Sequence, residues 1–83
     1  MKKRIQNCWL FTCIDSKDDT EGLIGERIGD TWIPFVACDE DRVLDLTARA
    51  AAIGQMTGSK IRVKKAFVLT DQPLSDFIKN KGI

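Results

Sequence analysis

The sequence predicts one α+β domain over residues 1–83 with the element order βββαβα: a four-stranded mixed sheet, one long helix packed on one face and a short C-terminal helix. Three observations lead to this prediction. An apolar run at 8–14 has the length and alternation of a strand, and two further strand-like runs flank the Gly-Asp pair at 29–30. An amphipathic pattern with capping residues at both ends then extends from 39 to 58.

The first predicted strand, Cys8–Ile14, is apolar on both of its faces. Alternation divides its apolar side chains into two sets: Trp9, Phe11 and Cys13 on one face, and Cys8, Leu10 and Ile14 on the other. Such a strand belongs in the interior of a sheet, and a chain this short has few elements with which to cover both faces. The second face therefore needs either the C-terminal helix or a partner chain.

The second and third predicted strands, Leu23–Ile28 and Thr31–Cys38, follow a polar loop at 15–22 that we interpret as solvated. Gly29 stands at the first central position of a two-residue connection, which is typical of a type II′ hairpin. Pro34 has no backbone donor, so we expect the third strand to lie at a sheet edge or to carry a bulge there.

The long helix is predicted to begin after Asp39, whose side chain can cap it, and to end at Gly58. On a helical wheel, one arc is small and apolar: Val43, Leu46, Thr47, Ala50, Ala51, Ile53 and Gly54. The opposite arc carries charges at ion-pair spacing: Arg42, Asp45 and Arg49. We expect the small arc to let the helix axis approach the sheet closely.

The fourth predicted strand, Lys60–Leu69, changes the parity of its apolar positions after Lys65. This change predicts either a bulge near 64–65 or burial of both faces there. A right-handed crossover through the long helix should make the third and fourth strands parallel. We favour the strand order 4-1-2-3, with the fourth strand beside the third as the alternative.

The C-terminal helix is predicted to start at Asp71-Gln-Pro73 and to place three apolar side chains on one stripe, namely Leu74, Phe77 and Ile78. This stripe could cover an edge or a face of the sheet. If it covers the second face of the first strand, the chain needs no partner for that purpose.

Composition excludes several classes of function. The chain has no His and no Tyr, which removes the commonest general base and the usual imidazole metal ligand, and it shows no catalytic or cofactor-binding pattern. Its three cysteines are an odd number without a zinc-type spacing, so we interpret them as small buried hydrophobic residues in a reducing, cytoplasmic setting. No stretch is apolar for long enough to span a membrane.

The net charge of +1 is unevenly distributed along the chain. Residues 1–4 carry +3, residues 15–41 carry −7 and residues 42–83 carry +5. This asymmetry could orient self-association, or it could cancel when the strands interleave.

Four aromatic residues are the predicted contact surface: Trp9, Phe11, Trp32 and Phe35. Each can bury about 150–250 Å², so two of them on an uncovered face would be comparable with the largest apolar patch that a monomer usually exposes. We therefore expect a non-enzymatic interaction or accessory protein that forms a homodimer or binds a larger protein partner.

A basic strand supports a different function, nucleic-acid binding through Lys60, Arg62, Lys64 and Lys65. The sequence indicates no exposed aromatic side chain interleaved with these cations, so a stacking platform is missing. A solvated sheet edge whose charges block strand pairing is therefore the favoured interpretation of this segment.

Two segments carry a resemblance: Pro34-Phe-Val-Ala-Cys-Asp39 and, after the predicted helix, Thr57-Gly-Ser-Lys-Ile-Arg-Val63. This arrangement resembles small uncharacterised bacterial proteins with a Pro-x-Val-Ala-x-Asp and Thr-Gly-x-x-Ile-x-Val pattern. The resemblance spans residues 34–63 and implies a strand, a helix and a second strand. It implies no activity and no functional residue.

Overall fold

A computed structural model describes residues 4–82 and confirms the α+β class. Six strands and two helices follow one another along the chain: β1 (Asn7–Ile14), β2 (Glu21–Leu23), β3 (Gly25–Ile28), β4 (Thr31–Pro34), β5 (Val36–Ala37), α1 (Glu40–Thr57), β6 (Ile61–Phe67) and α2 (Leu74–Lys81). The long helix α1 packs on one face of a four-stranded sheet, and α2 is the expected short C-terminal helix. Neither helix is long and apolar enough to cross a membrane.

Strand β1 is the centre of the sheet, as its two apolar faces predict. It pairs with β6 over seven residues, from Asn7 opposite Phe67 to Cys13 opposite Ile61. Its other edge is shared, because β2 pairs with residues 12–14 and β5 pairs with residues 9–10. β2 and β5 thus run one after the other along a single edge of β1.

The β3–β4 hairpin interrupts this shared edge and forms a separate two-stranded sheet. At its base, three backbone hydrogen bonds link three buried residues in a ring. Phe11 donates to Phe35, Phe35 donates to Ile24 and Ile24 donates to Phe11, at 2.9–3.1 Å. The second and third predicted strands are therefore each broken, at Ile24 and Phe35, because both residues turn to bond the central strand.

The prediction of a mixed sheet is wrong. Every strand pair formed by residues 4–82 is antiparallel. β5 and β6 do run in the same direction, as the crossover predicts, but β1 lies between them and opposes both. In the order 4-1-2-3, the adjacency of the first strand to the fourth and the second is confirmed, whereas the third strand also reaches the first through β5.

Local turn and cap predictions are confirmed. The hairpin has a two-residue turn between Ile28 and Thr31, and Gly29 has φ +62°, which matches the positive φ that a type II′ turn requires at its first central position. Asp39 caps α1 by accepting a hydrogen bond from the Arg42 backbone N–H at 2.8 Å. Gly58 ends α1 in the left-handed conformation.

Helix α1 packs through part of its predicted inward arc. Leu46 and Ala50 are buried, and Gly54 lies beside the Ile61 side chain. Thr47 and Ala51, by contrast, are exposed, and the Thr47 hydroxyl donates to the Val43 carbonyl. The arc in contact is narrower than predicted because α1 lies against β5 and β6 over a short length of each.

Two predictions about the C-terminal third are wrong. β6 pairs with β1 without a bulge, and it is not buried on both faces after Lys64, because Lys65 is exposed and Phe67 is 65% exposed. Helix α2 begins at Leu74 and buries none of its residues. It therefore does not provide the cover that the second face of the sheet requires.

Candidate functional site

Phe11 and Phe35 form the centre of the core and are not a contact surface. They are 1% and 2% exposed, and their rings meet edge to face with centroids 6.4 Å apart. Ile24, Ala37, Leu46 and Ala50 are buried with them. Their assignment to the partner surface was wrong because periodicity shows which residues share a face but does not show which face is covered.

Trp9 lies on the α1 side of the sheet and is partly buried against the core. The Lys65 ammonium stands over its ring, 5.2 Å from the centroid, and over the Phe67 ring at 5.5 Å. Since Phe67 is largely exposed, an aromatic side chain does accompany the basic strand. The sequence-based expectation of no such side chain is wrong at this position.

Trp32 is the predicted contact residue that remains substantially exposed, at 49%. In the hairpin, alternation places it on the face opposite to Glu26, and Glu26 points toward α1, where Arg49 donates to it at 2.8 Å. Trp32 therefore faces away from α1. Its indole lies over Gly25, where an added Cβ atom would overlap the ring.

Replacing Gly25 with alanine is expected to displace the Trp32 indole, because an alanine methyl group and the ring cannot occupy the same space. Trp32 is at the surface, so the ring can move and the fold should persist. The expected readout is a red shift of tryptophan emission, with a loss of about 1 kcal/mol or less in unfolding free energy. Gly22→Ala is the matched control, because nothing lies within 4 Å of its Cβ position. Identical emission from both variants would contradict the placement of Trp32.

The face of the sheet opposite α1 is the main candidate surface, and we call it the uncovered face. Strand alternation and register give its members: Cys8, Leu10, Thr12, Ile14, Glu21, Leu23, Val36, Arg62, Lys64 and Ala66. Within residues 4–82 neither helix covers it, because α1 packs on the other side and α2 buries none of its residues. Ile14 and Leu23 are among the exposed large hydrophobic residues of the chain.

A polar bridge crosses the middle of the uncovered face. Lys64 on β6 donates to one Glu21 carboxylate oxygen, and the Thr12 hydroxyl donates to the other at 2.6 Å. These hydrogen bonds hold the pKa of the Glu21 carboxyl below its ordinary value, and the bond from Lys64 has the larger effect. The bridge ties β2 to β6 over the central strand and shields Thr12, which is buried.

A Glu21→Gln variant is expected to lose the part of the acid-dependent stability that Glu21 contributes. The pKa of Glu21 is lower in the folded chain than in the unfolded chain, so its stabilising effect is complete above the ordinary glutamate pKa of about 4.3 and is lost as pH falls through the lowered value. Urea unfolding across this range should show the wild type losing stability relative to the variant below about pH 4.3. Parallel curves for the two proteins would exclude the bridge.

The basic residues do not form one stripe. Arg62 and Lys64 share the uncovered face, Lys65 lies on the α1 side, and the exposed Lys60 precedes β6. Sequence reasoning also assigned all three cysteines to the interior. Cys8 and Cys13 are partly buried on opposite faces, whereas Cys38 is exposed at the end of β5. All three are free thiols.

Sequence reasoning missed several exposed apolar residues. Val63 and Phe67 lie on the α1 side of the sheet, but an apolar side chain on an edge strand is not necessarily buried. The α2 stripe of Leu74, Phe77 and Ile78 was found, but it is solvent-exposed. Among residues 4–82, no group of three or more Cys, Asp and Glu side chains stands close enough together to hold a metal ion.

The chain matches no family model, no curated protein and no solved structure. The resemblance over residues 34–63 therefore stays an expectation.

Proposed function

We propose that this chain is a small protein-interaction module that self-associates and completes its core by doing so. One observation carries the proposal. The chain exposes 7155 Å², whereas a compact monomer of 9.3 kDa is expected to expose about 5000 Å². Its radius of gyration is 15.6 Å, compared with about 12 Å expected for a domain of this length. Such an excess of exposed surface is expected for a chain that buries part of its surface against another chain.

The uncovered face offers the best surface for this contact. Leu10, Ile14, Leu23 and Val36 give it apolar content, while Arg62 and the Lys64–Glu21 pair supply charges. Apolar side chains surrounded by polar ones are typical of interaction surfaces. Two copies related by a two-fold axis could stack these faces, which is the isologous arrangement that most homodimers use.

The available area is sufficient for a stable dimer. A standard interface buries about 800 Å² from each partner. The excess of about 2100 Å² over a compact monomer is more than twice that value, although it is summed over the whole chain and includes helix α2, which buries none of its residues. We further propose that the protein acts in the cytoplasm, because free thiols, including the exposed Cys38, suit a reducing compartment.

Sedimentation equilibrium over a wide range of protein concentrations, in low and moderate salt, tests self-association. The expected result is a mass of twice 9.3 kDa that hardly responds to salt, since burial of apolar area is not screened by ions. A mass of 9.3 kDa at every concentration would overturn the proposal of a homodimer.

Nucleic-acid binding is a second candidate, favoured by the cluster of Lys65, Phe67 and Trp9. An exposed ring beside an ammonium group could stack one base and neutralise a neighbouring phosphate. The test is anisotropy of a labelled single-stranded oligonucleotide at about 50 and 200 mM salt, with Phe67→Ala alongside. Binding through phosphates should weaken steeply with salt, and Phe67→Ala should weaken it further by about 1–3 kcal/mol. Absence of binding at low salt would reject this candidate.

A further inference from the structure

The outer edge of β6 is unpaired among residues 4–82, since β6 pairs with β1 alone. It is seven residues long, which is long for an edge strand without a bulge. An edge of this kind can accept an extended segment of another chain as an additional strand. The kind of segment that fits depends on the direction of the backbone groups of β6, on the chemistry of its two faces and on its charges.

The direction of the backbone groups can be deduced from β1. Phe11 donates to Phe35 and accepts from Ile24, so both of its polar backbone groups point away from β6. Val63, its partner across the ladder, then points its own N–H and C=O away from β1. Alternation extends this outward direction to Ile61, Lys65 and Phe67. The free edge therefore offers a regular row of donors and acceptors.

The two faces of this edge differ in chemistry. On the α1 side, Val63 and Phe67 present exposed apolar surface on either side of Lys65. On the other side, Arg62 and Lys64 are cationic. Lys64 is paired with Glu21, whereas neither Arg62 nor Lys65 forms an ion pair with any residue of the described part of the chain.

A second copy of β6 is a poor occupant of this edge. An antiparallel two-fold pairing would bring Arg62, Lys64 and Lys65 of one copy against the same cations of the other, and like charges across a ladder are destabilising. This charge pattern blocks self-pairing, which is how natural edges avoid aggregation. The same pattern favours a segment of opposite charge.

We infer that the outer edge of β6 binds an extended peptide segment of another protein in which acidic residues alternate with apolar ones. One acidic side chain would pair with Arg62 and a second would share Lys64 with Glu21, while the apolar side chains would lie beside Val63 and Phe67. This inference rests on the proposed role as an interaction module, but it uses a surface other than the uncovered face. Either can fail without the other.

The probe is a synthetic eight-residue peptide that alternates glutamate with valine. Hydrogen exchange of the isotope-labelled protein, read by NMR, gives the most specific signal. In the free protein, the outward amides of Val63, Lys65 and Phe67 should exchange fast, and the ladder amides of Arg62 and Lys64 slowly. With the peptide at about ten times its Kd, the hydrogen-exchange rates of the outward amides should fall about tenfold. A peptide with lysine in place of glutamate should protect none of them.

Val63→Pro is the decisive variant. Its proline ring removes an outward N–H and obstructs an incoming strand, yet breaks no hydrogen bond to β1, because proline is tolerated at such an edge position. Binding should be lost while circular dichroism stays unchanged. Should this variant unfold, Arg62→Glu serves instead, with about tenfold weaker binding of the acidic peptide expected.

The outcomes separate the alternatives. Protection of the outward amides by the acidic peptide, abolished in Val63→Pro, supports the inference. The inference is overturned if the lysine peptide protects these amides equally. It is also overturned if the acidic peptide changes only the NMR chemical shifts of Leu10 and Leu23 on the uncovered face. If the protein binds a single-stranded oligonucleotide and the acidic peptide protects none of the outward amides, the inference is overturned and the nucleic-acid candidate is favoured. Sedimentation of the same samples reports self-association independently.

Discussion

Replacing Phe11 with alanine is expected to unfold the chain under conditions in which the wild type is folded. Truncation of a buried phenylalanine costs about 3–5 kcal/mol, and domains of this size have total stabilities near the lower end of 5–15 kcal/mol. Phe11 is 1% exposed, contacts Phe35 edge to face and also sits in the hydrogen-bonded ring with Ile24. Urea denaturation followed by circular dichroism measures the effect.

Val63→Ala is the matched control, since Val63 is the cross-strand partner of Phe11 but lies on the exposed edge strand. A loss of less than about 1 kcal/mol is expected for it, because more than half of its surface stays in water on folding. If Phe11→Ala and Val63→Ala were equally mild, the core would have to lie elsewhere than between β1 and α1.

Replacing Leu23 with glutamate is expected to dissociate the homodimer and leave the monomer folded. Leu23 is 40% exposed on the uncovered face, so a carboxylate there remains solvated in the monomer. In the dimer, the carboxylate would lose water without gaining a partner, at a cost of about 2–3 kcal/mol, which is roughly a hundredfold in Kd. Sedimentation equilibrium measures the change in Kd, and circular dichroism checks the fold.

Leu44→Glu provides the corresponding control on helix α1. Leu44 is also an exposed leucine, but it lies on α1, which packs on the opposite side of the sheet from the uncovered face. Its replacement should leave the dimer intact. Dissociation by both substitutions would indicate an interface that involves α1, and dissociation by neither would contradict the assignment of the uncovered face.

The parts of the fold that depend on local chemistry could be predicted from the sequence. Gly29 predicts its hairpin because a positive φ is needed there, and Asp39 and Gly58 predict the ends of α1 because they satisfy backbone groups that the helix leaves unpaired. The α+β class follows from these signals and the apolar alternation of β1. Each requires no knowledge of what lies across the sheet.

The remaining features depend on long-range contacts. The breaks at Ile24 and Phe35 arise because both residues bond Phe11, which is distant in sequence. Gly25 and Pro34 stand beside them, but neither residue by itself shows that its strand leaves the sheet there. Among the four aromatic candidates for the site, the buried Phe11 and Phe35 could not be distinguished from the exposed Trp32, because burial depends on which surface α1 packs against. For β6, apolar parity was a poor guide because Val63 and Phe67 lie on an edge strand.

Alkylation of Cys8 at increasing protein concentration tests directly whether the uncovered face is covered by a second copy. Cys8 lies on that face, whereas Cys13 lies on the opposite, α1 side of the sheet and serves as an internal reference. Self-association through the uncovered face predicts that the alkylation rate at Cys8 falls as the dimer forms, while the rate at Cys13 stays constant. A ratio of the two rates that does not change with concentration would contradict it.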